Sequence, residues 1–223
     1  MQLNQQKQTS VRRKLVILAA VMAVIVAITF ANRLLSMIEN PWLMRLCSCL
    51  LYAALAVPAV VGMRLSGVSL KKQLDFANGR QYLWAAALFA VMSLAIAVIP
   101  ALLGTSLIGG HTSPSIPVLI YGAVFYIVFV GPVEELIFRG YAQELLVEIL
   151  PKHRWLGAVI AAALFGLWHG VNGSLAQVIF TFAIGLFWGL MKYFFKNCTL
   201  VSTALGHGVY DFMNIIVRIF LIK

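Results

Sequence analysis

Charged residues are scarce in this chain of 223 residues, at 11% of the composition, whereas hydrophobic residues make up 62%. This composition excludes an ordinary soluble domain and predicts a polytopic membrane protein. Acidic residues are the scarcer charged class, with 7 Asp and Glu against 17 Lys and Arg, which gives a formal net charge of +10. A basic excess in so apolar a chain is typical of cytoplasmic loops beside a lipid bilayer, so nucleic acid is not expected as a partner.

Cysteine is also scarce. The three cysteines are Cys47, Cys49 and Cys198, and they have no CxxC spacing and lie in apolar surroundings. The sequence therefore indicates neither a disulfide framework nor a cysteine-rich zinc site. His111 and His153 lie in loop or interfacial surroundings, and no chemistry is assigned to them.

Long apolar runs dominate what is present. A membrane helix needs about 20 largely apolar residues and at least about 17, and seven runs are candidates, although the fifth is short. The runs cover residues 15–31, 42–63, 82–103, a stretch from 117 into a charged cluster at 134–139, and then 155–169, 175–195 and 200–221. We therefore predict an all-α bundle of about seven or eight transmembrane helices.

Basic residues indicate the orientation. They cluster at the N-terminus, in the loop 64–80, at 152–154 and at 192–196, and these places fall on one side if every run crosses once. Seven spans with a cytoplasmic N-terminus fit this pattern. An eighth crossing or a re-entrant segment within 131–175 would change the side of the C-terminus, and hydropathy leaves that open.

Charged side chains inside apolar runs are costly, so each is a functional hypothesis. Glu135 and Arg139 are four residues apart, about 6 Å along one helix face, and can pair. Glu134 is rotated by about 100° from that pair, so it can face a cavity as a general base.

Two further places carry histidine. His169 ends the fifth run, four residues after Phe165, and His207 and Asp211 form an i,i+4 pair in the last run. A glutamate, two histidines and an aspartate on separate membrane helices can meet only inside the bundle. We therefore predict a polar cavity in the C-terminal half, with the residues of an active site or a metal site.

The order Glu-Glu-x-x-x-Arg, Phe-x-x-x-His, His-x-x-x-Asp on hydrophobic helices resembles the CPBP group of intramembrane proteases, which includes the CAAX prenyl endopeptidases and bacterial Abi-type proteins. The resemblance covers roughly residues 117–215. It implies a catalytic core at 117–223, carried with N-terminal transmembrane helices at 1–116 in one integrated membrane domain. It also implies a location in a bacterial cell membrane.

The resemblance implies roles as well. Glu134 and His169 would activate water for attack on a peptide carbonyl, and His207 with Asp211 would stabilise the oxyanion or complete the polar cavity. The supporting residues would be Glu135, Arg139 and Phe165. Asp211 stands where the prenyl endopeptidases are expected to have Asn, and an ionised Asp cannot donate to an oxyanion, so it would be protonated or would orient His207.

Metal dependence stays open. Glu134, His169 and His207 would satisfy a catalytic zinc, but no His-Glu-x-x-His spacing is present, and a metal-free mechanism without any cofactor is favoured. Catalysis also requires Glu134 and His169 to lie within about 10 Å of each other, so that one water reaches both. A kink at Gly131-Pro132, with residues 133–149 continuing the helix through or along the membrane, would bring Glu134 to the required depth.

The leading hypothesis is an intramembrane endopeptidase whose substrate is a membrane-anchored, prenylated or hydrophobic peptide. The alternative is a non-catalytic immunity or binding protein of the bacteriocin self-immunity type, which keeps the motif residues as a structural network. A transporter is disfavoured because the two halves show no inverted symmetry. Glycines four apart, Gly166 with Gly170 and Gly185 with Gly189, are expected to permit close helix packing.

Overall fold

The computed structural model describes residues 2–74, 76–107, 114–171 and 173–222, and every regular element in them is helical. His111 lies outside these residues. The all-α prediction is confirmed. The described residues form seven helices: α1 (Gln2–Leu35), α2 (Pro41–Ser66), α3 (Arg80–Leu102), α4 (Ile116–Ile149), α5 (Leu156–His169), α6 (Leu175–Phe194) and α7 (Leu200–Phe220).

Six of these helices are long and apolar enough to cross a membrane, and the chain is a polytopic helical membrane protein as predicted. Each predicted apolar run matches one helix, with at most one residue of the run outside it. The exception in length is α5, which has 14 residues and is therefore shorter than a typical membrane span. Six rather than seven helices thus have the length for a complete crossing.

Helix α4 continues for 34 residues from Ile116 to Ile149, so residues 133–149 continue the helix of the fourth apolar run. Two parts of α4 are π-helical, Phe125–Val130 and Leu136–Ala142, and they flank the α-helical turn Gly131–Glu135. π-Helical turns in proteins often occur at functional sites. The kink expected at Gly131-Pro132 stays a prediction.

Capping side chains define several helix starts. Asn40 accepts hydrogen bonds from the backbone N–H groups of Trp42 and Leu43 at 2.9 and 3.1 Å and so caps α2. At the other end of α2, Gly67 has a φ of 78°, a left-handed conformation that glycine adopts without strain. Thr199 caps α7 in a reciprocal capping box with Ser202.

The chain divides into two compact units. The first consists of residues 1–73 and 136–195, which include α1, α2, the end of α4, α5 and α6. Its core contains the buried aromatic side chains of Phe138, Tyr141, Phe165 and Trp188. α2 approaches the Tyr141 ring so closely that a Cβ atom on Gly62 would lie 2.7 Å from a ring carbon.

The second unit consists of residues 74–135 and 196–223, which include α3, the first part of α4 and α7. Its polar contacts join α3 to the start of α7: the Thr199 hydroxyl donates to Gln81 Oε1 at 2.7 Å, and the Ser202 hydroxyl donates to the Gln81 carbonyl at 2.9 Å. α4 and α7 touch through backbone, because a Cβ atom on Gly131 would lie 2.5 Å from the Gly208 nitrogen. This contact determines which side chains of α4 and α7 meet.

Candidate active site

Two adjacent glutamates of α4 are buried beside α7 in the second unit. Glu134 is 3% exposed and Glu135 is 0% exposed. They follow Gly131 within one turn, and Gly131 lies against the backbone of Gly208. Because both helices lack a side chain at this crossing, the carboxyl groups of α4 come within contact of His207 on α7.

His207 is the centre of this cluster. Its Nδ1 lies 2.9 Å from Glu135 Oε1, within hydrogen-bond distance. Its Nε2 lies 3.5 Å from Asp211 Oδ2 and 3.9 Å from Glu134 Oε2. Each ring nitrogen of this buried imidazole therefore has at least one carboxyl group nearby.

The contact with Glu135 fixes the proton on Nδ1, because a carboxylate can only accept the hydrogen bond. The ring is thereby held in one orientation, with Nε2 directed toward Glu134 and Asp211. The 3.9 Å between Nε2 and Glu134 Oε2 exceeds a direct hydrogen bond, so Glu134 is adjacent to the imidazole without being bonded to it. A protonated His207 would have a compensating negative charge on each side.

Asp211 lies on the more accessible side of the cluster. Its side chain is 21% exposed, against 5% for His207, and it follows His207 by one turn of α7. The i,i+4 pairing predicted from the sequence is present in the structure. Asp211 is therefore placed to orient Nε2 of His207.

His169 belongs to the first unit, where it ends α5 among aromatic rings. Its Nδ1 lies 3.0 Å from the carbonyl oxygen of Phe165, which can only accept, so the proton is on Nδ1 and Nε2 is the basic nitrogen. The imidazole meets the Phe165 ring edge-on at 4.5 Å between centroids and the Trp168 ring edge-on at 4.9 Å. Backbone and rings together hold one orientation of His169.

Arg139 is buried and supports the helix that carries His169. Its guanidinium carbon lies 4.6 Å from the centre of the Phe165 ring, and Nη2 donates to the Gly185 carbonyl at 3.1 Å. One turn later, Gln143 donates to the Gly189 carbonyl at 3.0 Å. Both glycines permit this approach, since a Cβ on Gly185 would lie 2.8 Å from the Phe165 ring and a Cβ on Gly189 would lie 2.9 Å from Gln143 Oε1.

Replacement of Arg139 by lysine should lower the free energy of unfolding by about 2 kcal/mol, although the charge is kept. An ammonium group cannot stack flat on the Phe165 ring while it donates sideways to the Gly185 carbonyl. The loss is measured as a lower midpoint of unfolding for the purified protein in detergent.

Arg45→Lys is the matched control for Arg139→Lys. Arg45 also stacks on an aromatic ring, 4.8 Å above Trp42, and also donates to a carbonyl, that of Pro41 at 3.2 Å, but Trp42 is exposed. Its replacement should cost less than about 1 kcal/mol. Equal effects of the two substitutions would show that the buried contacts of Arg139 do not stabilise the fold.

The structure thus groups the predicted site residues in two sets. Glu134, Glu135, His207 and Asp211 meet in the second unit, and His169, Phe165 and Arg139 meet in the first. The expected approach of Glu134 to His169, the pairing of Glu135 with Arg139 and the catalytic roles stay predictions.

The contact between Glu135 and His207 was missed by the sequence analysis, which paired Glu135 with Arg139 alone. Contacts between helices leave no signal in the spacing within one helix. The hydrogen bond from Arg139 to the Gly185 carbonyl was missed for the same reason, although the glycine spacing on α6 indicated close packing.

Glu134, His169 and His207 are the residues predicted to bind zinc if the protein depends on a metal. In the part of the chain that the structure describes, no group of three or more His, Cys, Asp or Glu side chains is arranged to hold a metal ion. Within the second unit, Nδ1 of His207 lies beside Glu135, and Nε2 faces the carboxyl groups of Glu134 and Asp211. Metal dependence therefore stays a prediction.

Comparison with known proteins gives one family. Residues 116–213 match the family model described as Rce1-like, type II CAAX prenyl endopeptidase. The match contains all three motifs, and the resemblance to this family of proteases is confirmed over these residues. No curated protein and no solved structure matches the chain.

Proposed function

We propose that this membrane protein, with a CAAX prenyl endopeptidase match at residues 116–213, is an intramembrane endopeptidase. Its substrate would be a membrane-associated or lipidated protein or peptide. The observation that carries the proposal is the buried cluster in which Glu135, Asp211 and Glu134 surround His207 between α4 and α7. Buried ionisable groups in membrane helices are expensive to maintain, which favours a catalytic role over a structural one.

In the proposed reaction Glu134 is the general base. It removes a proton from a water molecule, the water oxygen bonds to the peptide carbonyl carbon, and the carbonyl oxygen becomes an oxyanion. When the carbon–nitrogen bond breaks, the protonated Glu134 returns its proton to the leaving amine. The family resemblance assigns His169 to the same activation of water, and its basic Nε2 suits that role.

His207 is the proposed donor to the oxyanion. Glu135 holds Nδ1, and a protonated ring then presents an N–H at Nε2. Asp211 cannot donate while it is ionised, but it lies 3.5 Å from Nε2 and can orient the ring. This arrangement supports the second of the two roles considered for Asp211, the orientation of His207.

The test is cleavage of a panel of membrane-anchored and prenylated reporter peptides by the purified full chain, with and without a chelator. We expect cleavage that survives chelation, because the proposed base and oxyanion donor are protein side chains. Hydroxylamine added during the reaction should yield no hydroxamate, because water attacks directly and no acyl-enzyme forms.

Three results would contradict this proposal in different ways. Loss of cleavage on chelation, with recovery on addition of Zn²⁺, would make the protein a metalloenzyme. A trapped hydroxamate would indicate a covalent nucleophile. Absence of cleavage across the panel, by a folded protein that still confers a biological effect on its host, would favour the non-catalytic immunity or binding protein.

A further inference from the structure

Helix α1 lies outside the residues that match the family, yet within the first unit it contacts the end of α4, α5 and the residues just after α5. The contacts are distributed along its length. They are an ion pair of Lys14 with Glu148 at 2.6 Å, a hydrogen bond of Thr29 with Trp168 at 2.8 Å, and a contact of Arg33 with the Val171 carbonyl at 3.5 Å.

The Thr29–Trp168 hydrogen bond has a defined direction. The indole N–H of Trp168 can only donate, so the Thr29 hydroxyl oxygen accepts. The hydroxyl proton in turn is donated to the Ile25 carbonyl at 2.8 Å, one turn earlier in α1. Thr29 is thus held by its own helix and presents a fixed acceptor to a buried indole.

Trp168 transmits this restraint to the neighbouring imidazole. The indole of Trp168 and the imidazole of His169 meet edge-on, with 4.9 Å between their centroids and 82° between their planes. Trp168 also packs against Phe138 at 5.5 Å, so its ring is bounded on a second side. The indole cannot turn about its side-chain bonds without breaking the hydrogen bond to Thr29.

We propose that Thr29 is a positioning residue for His169 and acts through the Trp168 ring. The hydroxyl fixes the indole, the indole forms one wall of the imidazole site, and the Phe165 carbonyl fixes the tautomer, so that Nε2 points in one direction. This inference rests on the proposed function, in which Nε2 of His169 takes part in activating water. It assigns part of the catalytic geometry to a helix outside the family match.

The experiment compares Thr29→Val, which removes the hydroxyl and keeps the shape, with Thr29→Ser, which keeps the hydroxyl. Thr29→Val should lower kcat about 10-fold and change KM by less than about twofold, because positioning of a catalytic group affects the chemical step rather than binding. Thr29→Ser should stay within about twofold of wild type. Lys14→Gln, which breaks another contact of α1, controls for general loosening of the helix and should also keep kcat.

A measurement that does not depend on cleavage activity separates this inference from the proposed function. In ¹⁵N NMR spectra of the full chain in detergent, Thr29→Val should shift the imidazole signals of His169 and accelerate hydrogen exchange of the Trp168 indole, and Thr29→Ser should restore both. If wild type cleaves no reporter, the proposed function fails, and these spectra still test the positioning. A Thr29→Val protein with unchanged His169 signals, or with wild-type kcat, would overturn the inference.

Discussion

Replacement of Glu134 by glutamine is expected to lower the rate of peptide cleavage by about 10³-fold, within the range typical of a lost general base. Glutamine has nearly the same shape as glutamate, but its amide cannot take a proton from water. Glu135 is not expected to act in its place, because it is fully buried and its Oε1 already accepts a hydrogen bond from Nδ1 of His207. The measurement is the single-turnover rate of reporter cleavage, together with the midpoint of unfolding.

Glu144→Gln is the matched control on the same helix. Glu144 makes an ion pair with Lys192, and its side chain is 38% exposed. Its replacement should leave cleavage within about twofold of wild type, because Glu144 pairs with Lys192 and is not part of the cluster around His207. Should the Glu134→Gln protein remain folded and keep more than about a tenth of the wild-type rate, Glu134 would not be the general base.

The second large effect concerns the crossing of α4 and α7. Gly208→Ala is expected to lower the free energy of unfolding by about 2 to 3 kcal/mol and to abolish cleavage. The new Cβ would lie 2.5 Å from the Tyr126 carbonyl oxygen and 2.8 Å from Ile127 Cα. Backbone atoms cannot rotate away as a side chain can, so the two helices must separate, and Glu135 then loses contact with His207.

Gly122→Ala tests whether backbone contact is the cause. Gly122 lies on α4 and also faces α7. A Cβ atom on Gly122 would meet the flexible end of the Ile215 side chain, with Cδ1 at 3.2 Å. Ile215 can adopt another rotamer to make room for the new methyl group. Alanine also has a higher helix propensity than glycine, so the free energy of unfolding should change by less than about 1 kcal/mol. Unfolding in detergent measures both variants, and a Gly208→Ala protein as stable as Gly122→Ala would contradict the close crossing.

The helices could be predicted from the sequence because the bilayer imposes a simple rule: about 20 apolar residues in a row form a membrane helix. Each run, from 15–31 to 200–221, corresponds to one helix in the structure to within one residue. The pairing of His207 with Asp211 was predictable for a similar reason, since both residues lie on one α-helix and the period of 3.6 residues places them on one face.

The partners of Glu135 and Arg139 could not be derived in this way. Their contacts with His207 and Gly185 join different helices, and they depend on where two backbones touch. The π-helical segments of α4 add a second obstacle, because each wide turn rotates the following side chains away from the positions of a regular α-helical wheel. No residue type in the sequence marks these turns.

The short length of α5 concerns the access of water, which is the second reactant in the proposed hydrolysis. Its 14 residues span about 21 Å, against a hydrocarbon layer about 30 Å thick. If the basic residues at 152–154 lie at a membrane surface, as the sequence predicts, the other end of α5, at His169, would fall short of the opposite surface. A bilayer relieves such hydrophobic mismatch by thinning locally, which draws headgroups and water inward. In that position, the helix that carries His169 would give water a shorter path into the membrane than a full-length span would.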